Sequence, residues 1–231
     1  MRTLFLMLWV MMWVVTFFSL GSLFAEKAAA PGNNAPAESV APAVPLTAEE
    51  KAYLLSLARE AIHRRLEGSE QPTIPDAKRS AALAEKKGCF VTLKEEGTLR
   101  GCIGQLMPQE SLCDCVIQNA VNAAVKDPRF APVASSKELK DLAIEISVLS
   151  VPQRCLFAAP EDFLNALVPL KHGVMVRYYG MHATYLPQVW EHFLSKEEFL
   201  SSLCQKGGMR TDAWKDPDAE VFVYQAEVIK E

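Results

Sequence analysis

The tightest constraint on the fold is a pair of β-forming runs, CFVTLK (89–94) and LRGCIGQL (99–106), joined by the short turn EEGT. Two such runs around a Gly-containing turn encode an antiparallel hairpin, and a hairpin must bury one face against something else. The neighbouring segments supply that cover. Thr47 followed by Glu50 forms a capping-box pattern, and Leu54, Leu55, Ala58, Ala61, Ile62 and Leu66 recur at helical spacing until Gly68. Leu112, Val116, Ala120, Ala123 and Ala124 mark a second helix, which Asp127-Pro128 terminates. A short helical piece is predicted around residues 80–87. In AIEISVLSV, Ile144, Ile146 and Val148 alternate with Glu145 and Ser147, the pattern of a half-buried strand. Phe163, Leu164 and Leu167 predict a short helix, and GVMVRYYG with HATYLP a second hairpin. Residues 187–206 read as one helix ended by Gly207-Gly208, and EVFVYQAEVI as one closing strand. Hairpins interleaved with helices imply the α+β class, with a mainly antiparallel sheet and flanking helices.

The chain's beginning has a different character. From Thr3 to Ala25 no charge interrupts the sequence, and 23 residues at about 1.5 Å each span a bilayer core of roughly 30 Å. The stretch exceeds the apolar region of about 7–15 residues in a signal peptide, and Leu23 stands where cleavage after Ala25 favours a small residue. Residues 1–25 therefore read as a signal peptide or a retained transmembrane anchor. No Cys near its end offers lipid attachment. Residues 26–46 form an Ala/Pro-rich linker, and 47–231 the folded domain. Either reading of the leader puts that domain outside the cytoplasm, periplasmic or secreted, or anchored to the membrane by residues 3–25. With 24 basic against 28 acidic residues the chain offers no electrostatic footprint for a phosphate backbone, so nucleic acid is not an expected partner. The six cysteines permit pairing without requiring it. Cys113 and Cys115 would point about 200° apart on a helix, and burial as small apolar side chains is the simplest account of most of them.

Three clusters carry chemistry. In Arg100-Gly101-Cys102-Ile103-Gly104, glycines beside a thiol let another molecule approach the backbone, and an arginine near a thiol favours the thiolate. Strand alternation puts Arg100 and Cys102 on one face. The competing reading packs Cys102 in the core and uses Gly101 and Gly104 for a bulge or tight crossing. In Asp127-Pro128-Arg129-Phe130, Arg129 either pairs with Asp127 or a sheet carboxylate, or grips an anionic ligand bidentately. Lys206 precedes two glycines that read as a helix cap and is itself a candidate ligand contact. Among His63, His172, His182 and His192 no two stand four apart, and there is no Cys-x-x-Cys, so no metal site is assigned; the sequence leaves any cofactor unknown.

Four segments in order carry a family resemblance: FVTLKEEGTLRGCIGQL; AAVKDPRFAPV with EISVLSVP; HGVMVRYYGMHATYLPQVW; and FLSSLCQKGGM. Together they resemble the AMMECR domain of the AmmeMemoRadiSam system protein A family over about residues 48–231, with LRGCIG the most specific element and Lys206-Gly207-Gly208 similar to the family's KGG or KAG element. The resemblance implies an α+β domain and a functional link to Memo-like and radical SAM proteins, and it implies no settled reaction. The leader and tether depart from the family pattern, because a reduced iron–sulfur enzyme belongs to the cytoplasm. Two functions compete. One is a binding or accessory module taking a small molecule or peptide in the LRGCIG cleft. The other is a thiol-dependent enzyme with Cys102 as nucleophile or redox residue and Arg100 as its electrostatic partner, for which the sequence assigns no paired base.

Overall fold

The computed structural model describes residues 45–231. The expected leader (3–25) and all but the last two residues of the expected linker lie outside the described residues. In chain order the elements are α1 (Ala48–Leu66), α2 (Ala81–Ala84), β1 (Cys89–Glu95), β2 (Thr98–Gln105), α3 (Leu112–Val125), α4 (Ser136–Lys140), β3 (Leu142–Leu149), β4 (Gln153–Cys155), α5 (Pro160–Ala166), β5 (Gly173–Tyr178), β6 (Met181–Tyr185), α6 (Lys196–Lys206), β7 (Glu220–Tyr224) and β8 (Ala226–Lys230). Helix α1 starts as the capping box predicts: the Glu50 N–H donates to Thr47 Oγ1, and the Thr47 N–H donates to the Glu50 carboxylate. Packing begins one residue earlier, because Leu46 is buried and its N–H donates to Glu227.

The fold is α+β, as expected, but among the described residues the strands form two antiparallel four-stranded sheets rather than one, in the orders β2-β1-β3-β8 and β4-β7-β5-β6. On one side of the first sheet, Val91, Leu93, Ile144 and Ile146 join Leu54 and Ile62 of α1 and Val116 and Ala120 of α3 in a largely aliphatic core. The second sheet shares a core with α5 and α6 that includes Phe163, Trp190, Phe199 and Trp214. A smaller cluster, Leu106, Leu149, Met175 and Tyr224, joins the two units.

The extra sheet explains why EVFVYQAEVI is not a single strand. β7 belongs to the second sheet and β8 to the first, and the chain changes sheets at Gln225. There the Gln225 N–H donates to Ser150 Oγ and the Ser150 N–H donates to the Gln225 carbonyl, so the outgoing and returning crossings are tied together. The single helix expected over 187–206 is likewise divided, into a 3-10 turn at Pro187–His192 and α6. Phe193 is extended and Ser195 caps a new helix by accepting from the Glu198 N–H. Both predicted hairpins form, each turning on two residues of positive φ: Glu96 (49°) with Gly97 (79°), and Tyr179 (45°) with Gly180 (79°). Among the described residues no helix is long and apolar enough to cross a membrane.

Candidate functional site

β2 is an edge strand, so alternate backbone N–H and C=O groups point away from the sheet with no neighbouring strand to receive them. At Cys102 the loop after α3 receives both. The Cys102 N–H donates to Asp127 Oδ2 at 2.8 Å, and Arg129 Nη2 donates to the Cys102 carbonyl at 3.2 Å. The two side chains are themselves joined, Nε to Oδ1 at 2.9 Å and Nη2 to Oδ2 at 2.6 Å, with the Arg129 N–H also donating to Oδ1. The Asp127-Pro128-Arg129 loop thus does for Cys102 what one residue of an added strand would do. Burial pushes the Asp127 carboxyl up, but the Arg129 side chain and two backbone N–H donors outweigh it and hold the group below its ordinary value.

The glycines beside Cys102 serve the chain's own packing, where the sequence reading left room for a visiting molecule. A Cβ on Gly101 would stand 2.2 Å from the Ala123 carbonyl oxygen of α3, and one on Gly104 would stand 2.3 Å from the Phe90 ring. Cys102 turns to the other side from Gly101, where Thr92 Oγ1 donates to its sulfur at 3.3 Å. Glu145, opposite Thr92 on β3, shares that face and receives Lys94 at 3.0 Å and Lys230 at 3.4 Å.

Arg100 is not the electrostatic partner of this thiol. The register shifts between Leu93 and Lys94: Leu93 faces Gly101 and Lys94 faces Leu99, which leaves Arg100 as the extra residue of a bulge. Its guanidinium donates to the Ala131 carbonyl at 2.7 Å and to Glu138 at 2.6 Å, stapling the 131–138 segment to β2. The arginine whose charge reaches Cys102 is Arg129. Burial pushes the Cys102 thiol up, and the Thr92 hydrogen bond and the Arg129 charge do not reverse it, so the sulfur is protonated at neutral pH.

The second unit contributes Lys206, on the last turn of α6. Its Nζ donates to the Thr184 carbonyl at 2.8 Å and lies 4.8 Å from the centre of the Tyr185 ring. Burial lowers it to about 8, and the charges that act on it further come from Cys102 and Arg129, so it sits in their neighbourhood. The predicted glycine cap is present: Gly208 has φ of 73°, and a Cβ on Gly207 would crowd Met209 and Ala183. Gln188 spans the same boundary, its Nε2 donating to Ser147 Oγ at 3.3 Å while its Oε1 is buried with no partner among the described residues.

Of the residues singled out from sequence, the fold joins Cys102, Asp127 and Arg129 directly, places Lys206 within reach of their charges, and turns Arg100, Gly101 and Gly104 to structural tasks. Thr92, Glu145 and Gln188 were not identified in advance. The first two were readable in principle, since each lies in register with the Cys102 position across neighbouring strands. Gln188 had no such signal. Among the described residues no group of three or more His, Cys, Asp or Glu is arranged to hold a metal. Two surface hollows, bounded by Arg59, His63 and Leu139 and by Leu156, Phe157 and Phe163, are lined by none of the Cys102 neighbours.

A family model described as AMMECR1 matches residues 55–229. A protein of Methanopyrus kandleri is 38% identical over 189 residues, covering 80% of this chain and 90% of its own. One of Methanothermobacter thermautotrophicus is 37% identical over 188 residues, covering 81% and 97%. The crystal structure of an uncharacterized protein from Pyrococcus horikoshii is similar with a TM-score of 0.73 at 34% identity, covering 80% of this chain and 93% of that one.

Proposed function

The chain belongs to the AMMECR1 family, that of AmmeMemoRadiSam system protein A, and from that premise we propose that it is a binding or accessory module whose ligand, a small molecule or peptide, seats against Cys102 where the two sheets meet. The observation that carries this reading is the hold on Cys102: Asp127 and Arg129, from a loop remote in sequence, grip its backbone on both sides, while Lys206 of the second unit feels the charges of Cys102 and Arg129. Such investment fixes the position of one side chain, as a recognition surface requires. The protonated state of that thiol and the diversion of Arg100 to Glu138 argue against a ready-made nucleophile.

The test is a thermal-shift screen of metabolites and short peptides on the wild type, repeated with Cys102→Trp and Lys206→Met. Compounds that stabilise the wild type and neither variant support the site. Compounds that stabilise all three equally move it elsewhere.

One observation favours the thiol-enzyme alternative: an amine lowered to about 8 stands in the neighbourhood of Cys102 and is the base that the sequence did not assign. The two readings part on Cys102→Ser, which retains ligand binding if the thiol only shapes the surface and abolishes function if it is the nucleophile. We further propose that the domain works outside the cytoplasm, supported by the 23 uncharged residues from Thr3 to Ala25, and that it keeps the family's link to Memo-like and radical SAM proteins at the level of pathway rather than contact. Fractionation that recovers the full chain in the cytosol contradicts the first of these.

A further inference from the structure

Away from the Cys102 site, two other cysteines face each other in the core of the first unit. Cys89 opens β1, Cys115 lies in the first turn of α3, and both are fully buried. Their sulfurs are 2.8 Å apart, inside the distance at which unbonded sulfur atoms rest and roughly 0.8 Å beyond the 2.05 Å of a disulfide bond. Asn119, one turn further along α3 and itself buried, donates its amide to both sulfurs, at 3.6 Å and 3.3 Å.

The hydrogen bonds around the pair suit an oxidised state. As thiols, one S–H donates to the other sulfur and a second S–H remains to be placed. As a disulfide the pair has no proton to place, and both sulfurs accept from Asn119 alone. We infer that Cys89 and Cys115 are a disulfide-forming pair that locks α3 onto β1 when the chain folds in the presence of a disulfide oxidant.

The chemistry balances with an oxidant of the small-molecule disulfide class or an oxidised dithiol protein. One cysteine, as thiolate, attacks the oxidant's S–S bond and forms a mixed disulfide, releasing one thiolate. The second cysteine attacks the protein sulfur of that mixed disulfide, forms the Sγ–Sγ bond and releases the other thiolate. Two protons leave the cysteines and two electrons reduce the oxidant to two thiols. The pair is sealed in the folded core, and burial pushes the Cys89 thiol far up, so exchange takes place before α3 docks. Afterwards the same burial shields the bond from reductants.

The lock has a structural consequence. It joins the two elements between which Gly101 is gripped, since Gly101 pairs with Leu93 of β1 and abuts Ala123 of α3. It also fixes the helix that delivers Asp127 and Arg129 to Cys102. This inference is independent of what the Cys102 site binds.

The test uses the full chain refolded from urea in glutathione disulfide with glutathione. Remaining thiols are blocked with iodoacetamide under denaturing conditions, and non-reduced peptides are read by mass spectrometry. The expected result is one dominant cross-linked peptide holding Cys89 and Cys115, lighter than the reduced pair by two hydrogens. A melting temperature about 7–14 °C above that of protein refolded in dithiothreitol should accompany it. Cys115→Ser should remove both the cross-link and the shift. Alkylated Cys89 and Cys115 in the refolded wild type, or cross-links spread over the other cysteines, overturn the inference, and the wild-type peptide map decides even if the variant fails to fold.

Discussion

The two sheet units solve the same packing problem with different materials. The first fills its core with aliphatic side chains, alanines and cysteines, so that backbones run close: Gly101 lies against the Ala123 carbonyl with no room for a methyl group. The second fills its core with rings, Trp190 stacked on Phe199 at 3.6 Å and 4°, Phe163 tilted on Trp214 at 6.4 Å, and Tyr185 and Phe193 at the margin. Rings bury large areas with few side chains, whereas close-packed backbones fix positions. The candidate site reflects that division. The clamped strand comes from the first unit, and the second contributes Lys206, held at the Thr184 carbonyl and packed on Tyr185.

Phe199→Ala should have the largest effect, about 3–5 kcal/mol, because the residue is fully buried at the centre of the ring cluster. Hydrogen exchange should then show β5 and β7 losing protection before β1 and β3; equal loss in both sheets breaks the distinction between the units. Gly101→Ala should cost about 3 kcal/mol in denaturant unfolding, since backbone rather than a movable side chain blocks the new methyl group. A change below about 0.5 kcal/mol would show that α3 is free to shift and that close approach is not what the first unit depends on.

Asp127→Asn sharpens the account of the edge clamp. The Asp127 side chain is 1% exposed and that of Arg129 15%, so removing the charge should destabilise by about 2 kcal/mol near neutral pH, somewhat less than for a fully buried pair. The sign with pH follows from its depressed carboxyl. The stabilisation is complete above the unfolded value of about 4 and is lost as pH falls through the lower folded value, so wild type and variant should converge in acid. A constant gap between them at low pH would mean that the carboxylate charge is not what holds the strand.

Much of this was legible in the residues, and the failures have physical causes. The LRGCIG hairpin, the Thr47 cap and the helix stop at Asp127-Pro128 each follow from local chemistry that tertiary packing had no reason to override. The second sheet was not legible, because the crossings at Ser150 and Gln225 are secured by hydrogen bonds between residues 75 apart. Around Cys102 the partners differ from those that strand alternation implies. Strand alternation assigned Arg100 to the thiol, and a bulge at Leu93/Lys94, which leaves no mark in composition, handed that place to Arg129. Gln188 carries no local pattern that would announce its bond to Ser147, 41 residues away in sequence.

Lys206→Met should have the smallest effect on stability at neutral pH and a distinctive one in alkali. With the folded amine lowered to about 8, the unfolded chain binds more protons from there up to its ordinary range near 10.4. Wild-type stability should therefore rise across that window relative to the variant. The most direct measurement of the central claim is the titration of this amine itself, by pulsed acetylation of the folded protein across pH with mass-spectrometric readout at Lys206. A midpoint near 8 is the result expected of an amine buried as Lys206 is. A midpoint near 10.4, that of an exposed lysine, would contradict the burial of Lys206 and its place in the proposed site.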